Sequence, residues 1–239
     1  NSVMEGSSST MRMRAGFSIA PPSTGTLITV TVKALPSEID SMVAFARIAK
    51  TEGIVRNMLL AIDVGNTQTV LGVYDGERLV HMWRVATNVD HTSDELRIKL
   101  HVLMSAEGVD RQCIDGAILA SVVPALTHNW EKACQRSFGV QLLVISAKTV
   151  GHLINMDQEK FSELGADRVA DAAAAKCLYG SPVIVVDFGT ATNIEIIDKT
   201  GTFVGGIIAP GVDSSMRSLL SRAALLRSVE LEDPGTAIG

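Results

Sequence analysis

The sequence predicts a mixed α/β fold built from one unit that occurs twice, the second time incompletely. An apolar strand that ends in an aspartate and a small-residue turn occurs at 63–67 (Asp-Val-Gly-Asn-Thr) and again at 187–192 (Asp-Phe-Gly-Thr-Ala-Thr). Each copy leads into a second strand and then a turn, which follows the aspartate by 12 residues at Asp75 and by 13 at Thr200. After the first copy, strand-like and helix-like segments alternate, as they do in mixed α/β proteins.

The first unit has the pattern of three strands followed by helix, strand, helix and strand. Apolar segments at 59–64, 70–74 and 79–85 predict the three strands, and Asp75-Gly76 predicts the turn between the last two. Thr92 and Glu95 form a capping box that begins a helix over 93–107. The apolar run 117–123 predicts a buried strand, and a helix over 126–138 and a strand over 142–145 follow.

The second unit has only its opening hairpin and one helix. An alanine-rich helix over 165–178 closes the first domain, predicted at 58–180. A strand over 182–188, a hairpin at 193–198 and 202–209, and a helix over 212–226 then form a partial second domain at 181–239. Relative to the first unit, on the order of 60 residues of helix, strand and helix are lacking. We therefore expect the sequence to be a fragment.

Residues 1–57 differ in composition from the rest of the chain. No acidic residue occurs between Gly6 and Ser37, and the apolar positions keep no long helical or strand period. We predict an extension outside the core fold, disordered or absent from the native protein, with Met58 as the natural start. Arg12 and Arg14 also allow an organelle transit peptide, but a translated upstream region or an early start codon is the favoured explanation.

The overall composition excludes several classes of function. With 46% hydrophobic and 20% charged residues, the chain can bury one large core or two modest ones. Its net charge of −5 and the lack of a long basic run argue against nucleic acid as a partner. No apolar stretch approaches the roughly 18–20 residues of a membrane helix. Cys113, Cys134 and Cys177 form no Cys-x-x-Cys pair, which favours reduced thiols in a cytoplasmic protein.

The two aspartate-bearing hairpins are the candidate phosphate-binding elements. The sequence has neither a Gly-x-x-x-x-Gly-Lys-Ser/Thr loop nor a Gly-x-Gly-x-x-Gly turn after a strand. A carboxylate beside glycine and threonine can hold a hydrated cation, while bare backbone N–H groups and hydroxyls receive phosphate oxygens. Two facing hairpins would clamp a nucleotide. The alternative is that both are ordinary tight turns in which each aspartate caps a backbone N–H.

Two further motifs could contact a ligand. Gly-Ala-Asp-Arg at 165–168 begins the alanine-rich helix, where the helix dipole favours an anion and Arg168 offers a forked donor to a carboxylate. An ordinary helix start would also favour an aspartate. Asp167 and Asp171 lie on one helical face, where like charges repel. Gly205 and Gly206 either let a flat ligand such as adenine approach or mark a β-bulge.

From Met58 to Gly239, four ordered motifs closely resemble type III pantothenate kinase. They are Met-Leu-Leu-Ala-Ile-Asp-Val-Gly-Asn-Thr, Gly-Ala-Asp-Arg, Val-Asp-Phe-Gly-Thr-Ala-Thr and Gly-Gly-Ile-Ile-Ala-Pro-Gly. That family belongs to the acetate kinase, sugar kinase, Hsp70 and actin superfamily. The resemblance implies duplicated ribonuclease H-like (actin-like ATPase) domains, with mixed five-stranded sheets flanked by helices. This chain departs from the pattern in three places: no tyrosine occurs in 154–164, Asn193 replaces a hydroxyl or small residue, and the family's Asn-Thr segment would follow Gly239.

The resemblance also implies an activity and residue roles. It implies ATP-dependent phosphorylation of pantothenate to 4′-phosphopantothenate, the first step of coenzyme A biosynthesis. The reaction would use Mg²⁺ and a monovalent cation, either K⁺ or NH₄⁺, and the full-length protein would be a homodimer. Asp167 would accept the proton and Asp187 would bind the monovalent cation. The pantothenate-binding residues would be Gly165, Ala166, Asp167 and Arg168; the ATP-binding residues would be Asp63, Val64, Gly65, Asn66, Thr67, Gln68, Thr69, Val70, Gly189 and Thr190. A non-catalytic ATP-binding regulator, or a kinase for another small hydroxy acid or sugar, are the alternatives.

Overall fold

In a computed structural model of the chain, residues 39–222 are described, with side chains from residue 45 onward. They form two β-sheets with helices packed on their faces. The strands are β1 (Met58–Val64), β2 (Gln68–Asp75), β3 (Arg78–Ala86), β4 (Ile114–Ser121), β5 (Leu142–Val144), β6 (Val183–Phe188), β7 (Ala191–Ile197) and β8 (Phe203–Pro210). The α-helices are α1 (Ile39–Thr51), α2 (Ser93–Ala106), α3 (Pro124–Phe138), α4 (Ala147–Val150), α5 (Ala166–Tyr179) and α6 (Val212–Arg222), with short 3₁₀ segments at Arg111–Cys113 and Gly151–Ile154.

The two sheets begin in the same way. The first has the order β3-β2-β1-β4-β5, in which β1, β2 and β3 are antiparallel neighbours while β4 runs parallel to β1 and to β5. The second has the order β6-β7-β8, again three consecutive antiparallel strands. The predicted class, a mixed α/β fold with a five-stranded sheet and a partly repeated second unit, is confirmed.

Helices cover both faces of the first sheet. They shield from water the apolar side chains that β1 and β4 carry on each face. One face packs against α2 and α3, with Leu60, Leu119 and Trp130 in the core. The opposite face packs against α1 and α5, with Leu59 and Ala172 buried between them. The predicted capping box begins α2: Glu95 N–H donates to Thr92 Oγ1 at 3.3 Å, and Glu95 Oε2 accepts from Thr92 N–H at 2.8 Å.

Helix α1 lies within the segment that we expected outside the core. Phe45, Ala46, Ile48 and Ala49 are buried in it, at most 2% exposed, and they pack in the same core as α5. Their spacing is that of one helical face. The apolar stripe is so short, and the residues around it so polar, that the sequence shows no clear helical period there. At least 39–51 therefore belongs to the fold, which corrects that expectation. The domain boundaries remain predictions, and residues 1–38 and 223–239, including the end of the helix expected at 212–226, lie outside the described part.

Two surface contacts join α1 and the residue that follows it to the rest of the fold. Arg47 Nη2 lies 3.0 Å from Glu77 Oε2 at the β2–β3 turn, and Glu52 Oε1 lies 3.1 Å from His152 Nε2. Exposed pairs of this kind contribute little free energy, so the buried apolar face of α1 is what holds it in place. Within residues 39–222, no helix is both long enough and apolar enough to cross a membrane.

Candidate active site

The first hairpin loop is held in one shape by a threonine from outside the motif. Gly65 N–H donates to the carbonyl of Gln68 at 3.0 Å, which closes the turn after β1. Thr87, just after β3, donates its hydroxyl to the carbonyl of Gly65 at 2.8 Å and also lies 2.8 Å from Thr69 Oγ1. The loop is therefore fixed before any ligand arrives.

The predicted ATP-binding range 63–70 divides into buried and exposed positions. Val64, Thr69 and Val70 are buried, so they support the loop from inside the fold. The tip of the loop, Asn66, Thr67 and Gln68, is exposed and can meet a ligand with side-chain and backbone groups. Asp63 is partly buried at the end of β1, opposite Val70 in the sheet register.

The second hairpin loop rests on the beginning of α6. Gly189 N–H donates to the carbonyl of Ala191 at 2.9 Å, and the carbonyl of Thr190 accepts from Gly211 N–H at 3.1 Å and Ser214 Oγ at 3.2 Å. A Cβ atom at residue 211 would lie 2.6 Å from the Thr190 carbonyl oxygen, so this close backbone approach requires glycine. Gly189 and Thr190 are exposed at the tip, as the ATP-binding prediction needs.

The Gly-Ala-Asp-Arg motif begins α5, and its aspartate folds back on the helix start. Gly165 is the N-cap and makes no side-chain capping bond, while Asp167 Oδ1 accepts from Arg168 N–H at 2.8 Å. A Cβ atom at residue 165 would press on Asp167 Oδ1. Gly165 thus allows the carboxylate to lie close to the positive end of the helix dipole.

The acidic residues of the three motifs surround one desolvated carboxyl group, that of Asp171 in α5. Burial is the main reason that the pKa of Asp171 is raised well above its ordinary value. The charges of Asp187, Glu195, Asp167 and Asp63 raise the pKa of Asp171 further. The structure therefore brings Asp63 and Asp187, one from each hairpin, within electrostatic range of the same group and of the start of α5.

Asp187 is itself in an unfavourable environment for a negative charge. Burial raises its pKa above the ordinary value, the charge of Asp167 raises it further, and a hydrogen bond from the Asn193 side chain opposes both. Asn193 is the partner of Asp187 in the β6–β7 register. A bound cation beside Asp187 would relieve the same repulsion, because it favours the ionised carboxylate.

Sequence reasoning assigned no role to Glu195 of β7, which is fully buried. Its Oε1 atom accepts from Arg168 Nε at 2.6 Å, so it joins the site through the Gly-Ala-Asp-Arg motif. Burial raises the pKa of Glu195 to about 7, although the hydrogen bond and charge of Arg168 lower it. A single glutamate among Ile194, Ile196 and Ile197 was the signal in the sequence, since a lone charge in an apolar strand needs a buried partner.

The glycine pair at 205–206 lies where the bulge alternative predicts an irregularity. The register between β7 and β8 shifts between Ile196 and Ile197, and Gly205 has a φ of 143°. Gly206 also lies so close to Arg168 that any Cβ atom would collide with Nη2 of the guanidinium. Glycine at position 206 therefore leaves the space that the Arg168 guanidinium occupies.

Within the described part of the chain, no three or more His, Cys, Asp or Glu side chains are grouped to hold a metal ion. A cation at Asp187 would need backbone carbonyls, water or ligand oxygens to complete its coordination.

A cavity of about 670 Å³ lies at the other end of β1, beside Met58 and Gly76, and touches none of the predicted site residues.

Two rigid glycine-containing loops, each following an aspartate, together with an acid and an arginine at a helix start, are typical of an enzyme that transfers a phosphoryl group from a nucleotide. Comparison with known proteins agrees and is more specific. Residues 59–239 match the model of a protein family described as type III pantothenate kinase. The chain belongs to the type III pantothenate kinase family.

Curated relatives carry the same description. The chain is 44% identical to type III pantothenate kinase of Rhodospirillum rubrum over 182 residues, which cover 76% of this chain and 71% of the relative. It is 43% identical to that of Halalkalibacterium halodurans, with the same coverage. Among solved structures, the ethanolamine utilization protein EutJ of Carboxydothermus hydrogenoformans is 18% identical, with a TM-score of 0.41 over 77% of this chain and 64% of that chain.

Proposed function

We propose that this chain uses ATP to phosphorylate pantothenate to 4′-phosphopantothenate, the first step of coenzyme A biosynthesis. The observation that carries the proposal is the convergence on Asp171 of Asp63, Asp187 and Asp167, one carboxylate from each of the three motifs. Family membership gives the reaction, and this convergence supports one cleft in which both substrates could meet.

The proposed ATP site consists of the two loop tips. The exposed residues 66–68 and 189–190 present backbone N–H groups and hydroxyls, which suit phosphate oxygens. Loops already fixed by Thr87 and Ser214 lose little conformational entropy when ATP binds. Positioning of this kind supplies much of the rate enhancement in phosphoryl transfer.

The proposed proton acceptor is Asp167. The primary hydroxyl oxygen of pantothenate would form a bond to the γ-phosphorus while the bond from that phosphorus to the bridging oxygen breaks and ADP leaves. The hydroxyl proton would pass to the Asp167 carboxylate and then to water. A positioned carboxylate typically contributes about 10²–10⁴-fold to such a step. Arg168 would bind the carboxylate of pantothenate through its forked N–H groups.

Asp63 and Asp187 are the candidate ligands for the cations that the family implies. Asp187 would bind K⁺ or NH₄⁺, and Asp63 would hold Mg²⁺ or a water of its hydration shell. Oxygen ligands are the ones that hard cations prefer. Burial, and then the charges of neighbouring carboxylates, raise the pKa values of Asp171 and Asp187, and a bound cation would oppose both effects. When bound, these cations would neutralise phosphate charge. A homodimer and a cytoplasmic location remain predictions.

The proposal is tested by incubating the purified chain with ATP, Mg²⁺, K⁺ and pantothenate and identifying the product by mass spectrometry. We expect 4′-phosphopantothenate and an equal amount of ADP. Parallel reactions with other small hydroxy acids and sugars test the alternative acceptors, which the lack of a tyrosine in 154–164 keeps open. ATP binding without phosphorylation of any acceptor would instead support the regulator alternative.

A further inference from the structure

Glu195 is the one acidic or basic side chain in the described part of the molecule that is completely buried. Its Oε1 atom accepts the hydrogen bond from Arg168 Nε at 2.6 Å, whereas its Oε2 atom has no hydrogen-bond partner. The charges of Asp187 and Asp167 add repulsion to the cost of burial. An ion pair kept under these conditions adds little stability, because an apolar pair of the same size would often be as stable.

The pair instead fixes the position of Arg168. The guanidinium is held at its Nε edge by Glu195, and the backbone of Gly206 passes close to its Nη2 atom. Glu195 and Gly206 are partners in the β7–β8 register, so both restraints come from the same point of the second sheet. Only 12% of the Arg168 side chain remains exposed.

This arrangement leaves part of the donor fork for a ligand. The guanidinium carries five N–H donors, and the bond to Glu195 uses the one on Nε. The remaining donors are those on Nη1 and Nη2, on a residue in the first turn of α5 that directly follows Asp167 in the chain. An arginine whose orientation is set beforehand loses less entropy when it binds a carboxylate, so its restraint contributes to affinity.

We propose that Glu195 is a positioning residue, which holds the Arg168 guanidinium in the orientation that binds the carboxylate of the acceptor substrate. This inference rests on the proposed function for the identity of the acceptor. Glu195 contacts the substrate only through Arg168 and takes no part in proton transfer. Its effect should therefore fall on acceptor binding.

The kinetic test compares wild type with Glu195→Gln, which keeps the size of the side chain and removes its charge. We expect KM for pantothenate to rise about 10-fold or more, as for loss of a charge-assisted hydrogen bond. Turnover at saturation and KM for ATP should change less than about 3-fold. The matched control is Glu131→Gln, which changes an exposed glutamate on α3 that lies 3.3 Å from His128 Nδ1, and it should leave all three constants unchanged.

Two additional measurements separate positioning from a merely structural role. With the analogue in which a hydroxymethyl group replaces the carboxylate of pantothenate, Glu195→Gln should act like wild type, because Arg168 then has no carboxylate to bind. In an Arg168→Ala background, Glu195→Gln should raise KM no further. Equal losses with pantothenate and its analogue, or a loss confined to turnover, would overturn the inference.

The orientation of Arg168 can also be measured without substrate. In the ¹⁵N-labelled chain, the Arg168 Nε–H resonance, assigned by its loss in Arg168→Lys, should be protected from solvent exchange in wild type and lose that protection in Glu195→Ala, which removes the acceptor oxygen altogether. Unchanged protection would refute the inference whatever the activity. A wild-type chain that leaves pantothenate unmodified would count against the proposed function, and this resonance would still decide whether Glu195 holds the guanidinium.

Discussion

Asn193 donates its side-chain amide to the carboxylate of Asp187, directly across the β6–β7 pair. The bond partly offsets the burial and the repulsion from Asp167 that raise the pKa of Asp187. An amide is a weaker compensation than a full positive charge, so Asp187 remains a favourable place for a cation. Position 193, where the family resemblance led us to expect a hydroxyl or a small residue, is thus coupled to the proposed cation site.

Replacing Asp187 with Asn should abolish activation by K⁺. The neutral amide cannot supply the charge that attracts a monovalent cation, and Asn193 would then face a second amide. The measurement is initial rate against K⁺ concentration at saturating ATP and pantothenate. Glu131→Gln, on the helix that covers the face of the first sheet opposite α5, is the control. A K⁺ titration that matches wild type would remove Asp187 from the cation role.

Replacing Asp167 with Asn should lower turnover by at least about 10²-fold, since no carboxylate would then accept the hydroxyl proton. Asn can still accept the bond from Arg168 N–H through its amide oxygen, so the start of α5 should stay intact. Turnover is measured in a coupled ADP assay and folding by thermal melting. Full turnover in a folded variant would show that another group accepts the proton.

Truncating Phe45 to Ala should destabilise the protein by about 3–5 kcal/mol. The phenylalanine side chain is buried in the core that α1 shares with α5, and its removal would leave a cavity there. Lys50→Ala, on the same helix but exposed, is the matched control and should change the free energy of unfolding by less than about 0.5 kcal/mol. Denaturant unfolding measures both. Equal stability of the two variants would mean that α1 contributes nothing to the core.

Stability should fall as pH rises between about 4.5 and 7, and Glu195→Gln should weaken that dependence. The folded pKa of Glu195 is about 7 against an ordinary value of 4.5, so the folded state binds more protons in this interval. Glu195 makes its full contribution to the free energy of unfolding at pH values below its pKa in the unfolded state. That contribution is lost as the pH rises through its pKa in the folded state, at a slope of at most about 1.4 kcal/mol per pH unit. Asp171 and Asp187, whose pKa values are also raised, add to the same trend in both proteins.

This dependence is measured by urea unfolding at intervals from pH 4.5 to 7.5 in buffer without K⁺. The difference in unfolding free energy between wild type and Glu195→Gln should narrow or reverse in favour of the variant as pH rises. A difference that stays constant across the interval would show that Glu195 binds as many protons in the folded state as in the unfolded state, so that folding does not raise its pKa.

Local patterns were sufficient to predict the strands and most helices. The strand expected at 59–64 appears as Met58–Val64, and the helix expected at 93–107 appears as Ser93–Ala106 with its capping box formed. These elements depend on period, caps and turns that lie within a few residues. Helix α1 was missed because its short apolar stripe gains its stability from a partner, α5, more than 100 residues further along the chain.

The candidate site divides in the same way. Loop residues such as Gly65 and Gly189 could be found from their motifs, since a tight turn has a local signature. Thr87, which fixes the first loop, and Glu195, which holds Arg168, could not, because each acts across a distance that only the folded chain closes. Glu195 left the clearest trace, a single charge in an apolar strand.

Helix α1 precedes the stretch that family comparison recognises at 59–239. Anyone who trims a recombinant gene to the recognised stretch would cut away Phe45 and Ile48 and leave the flank of α5 in contact with water. Such a shortened protein would be prone to aggregate. Loss of activity caused by aggregation could then be mistaken for a lack of catalytic activity.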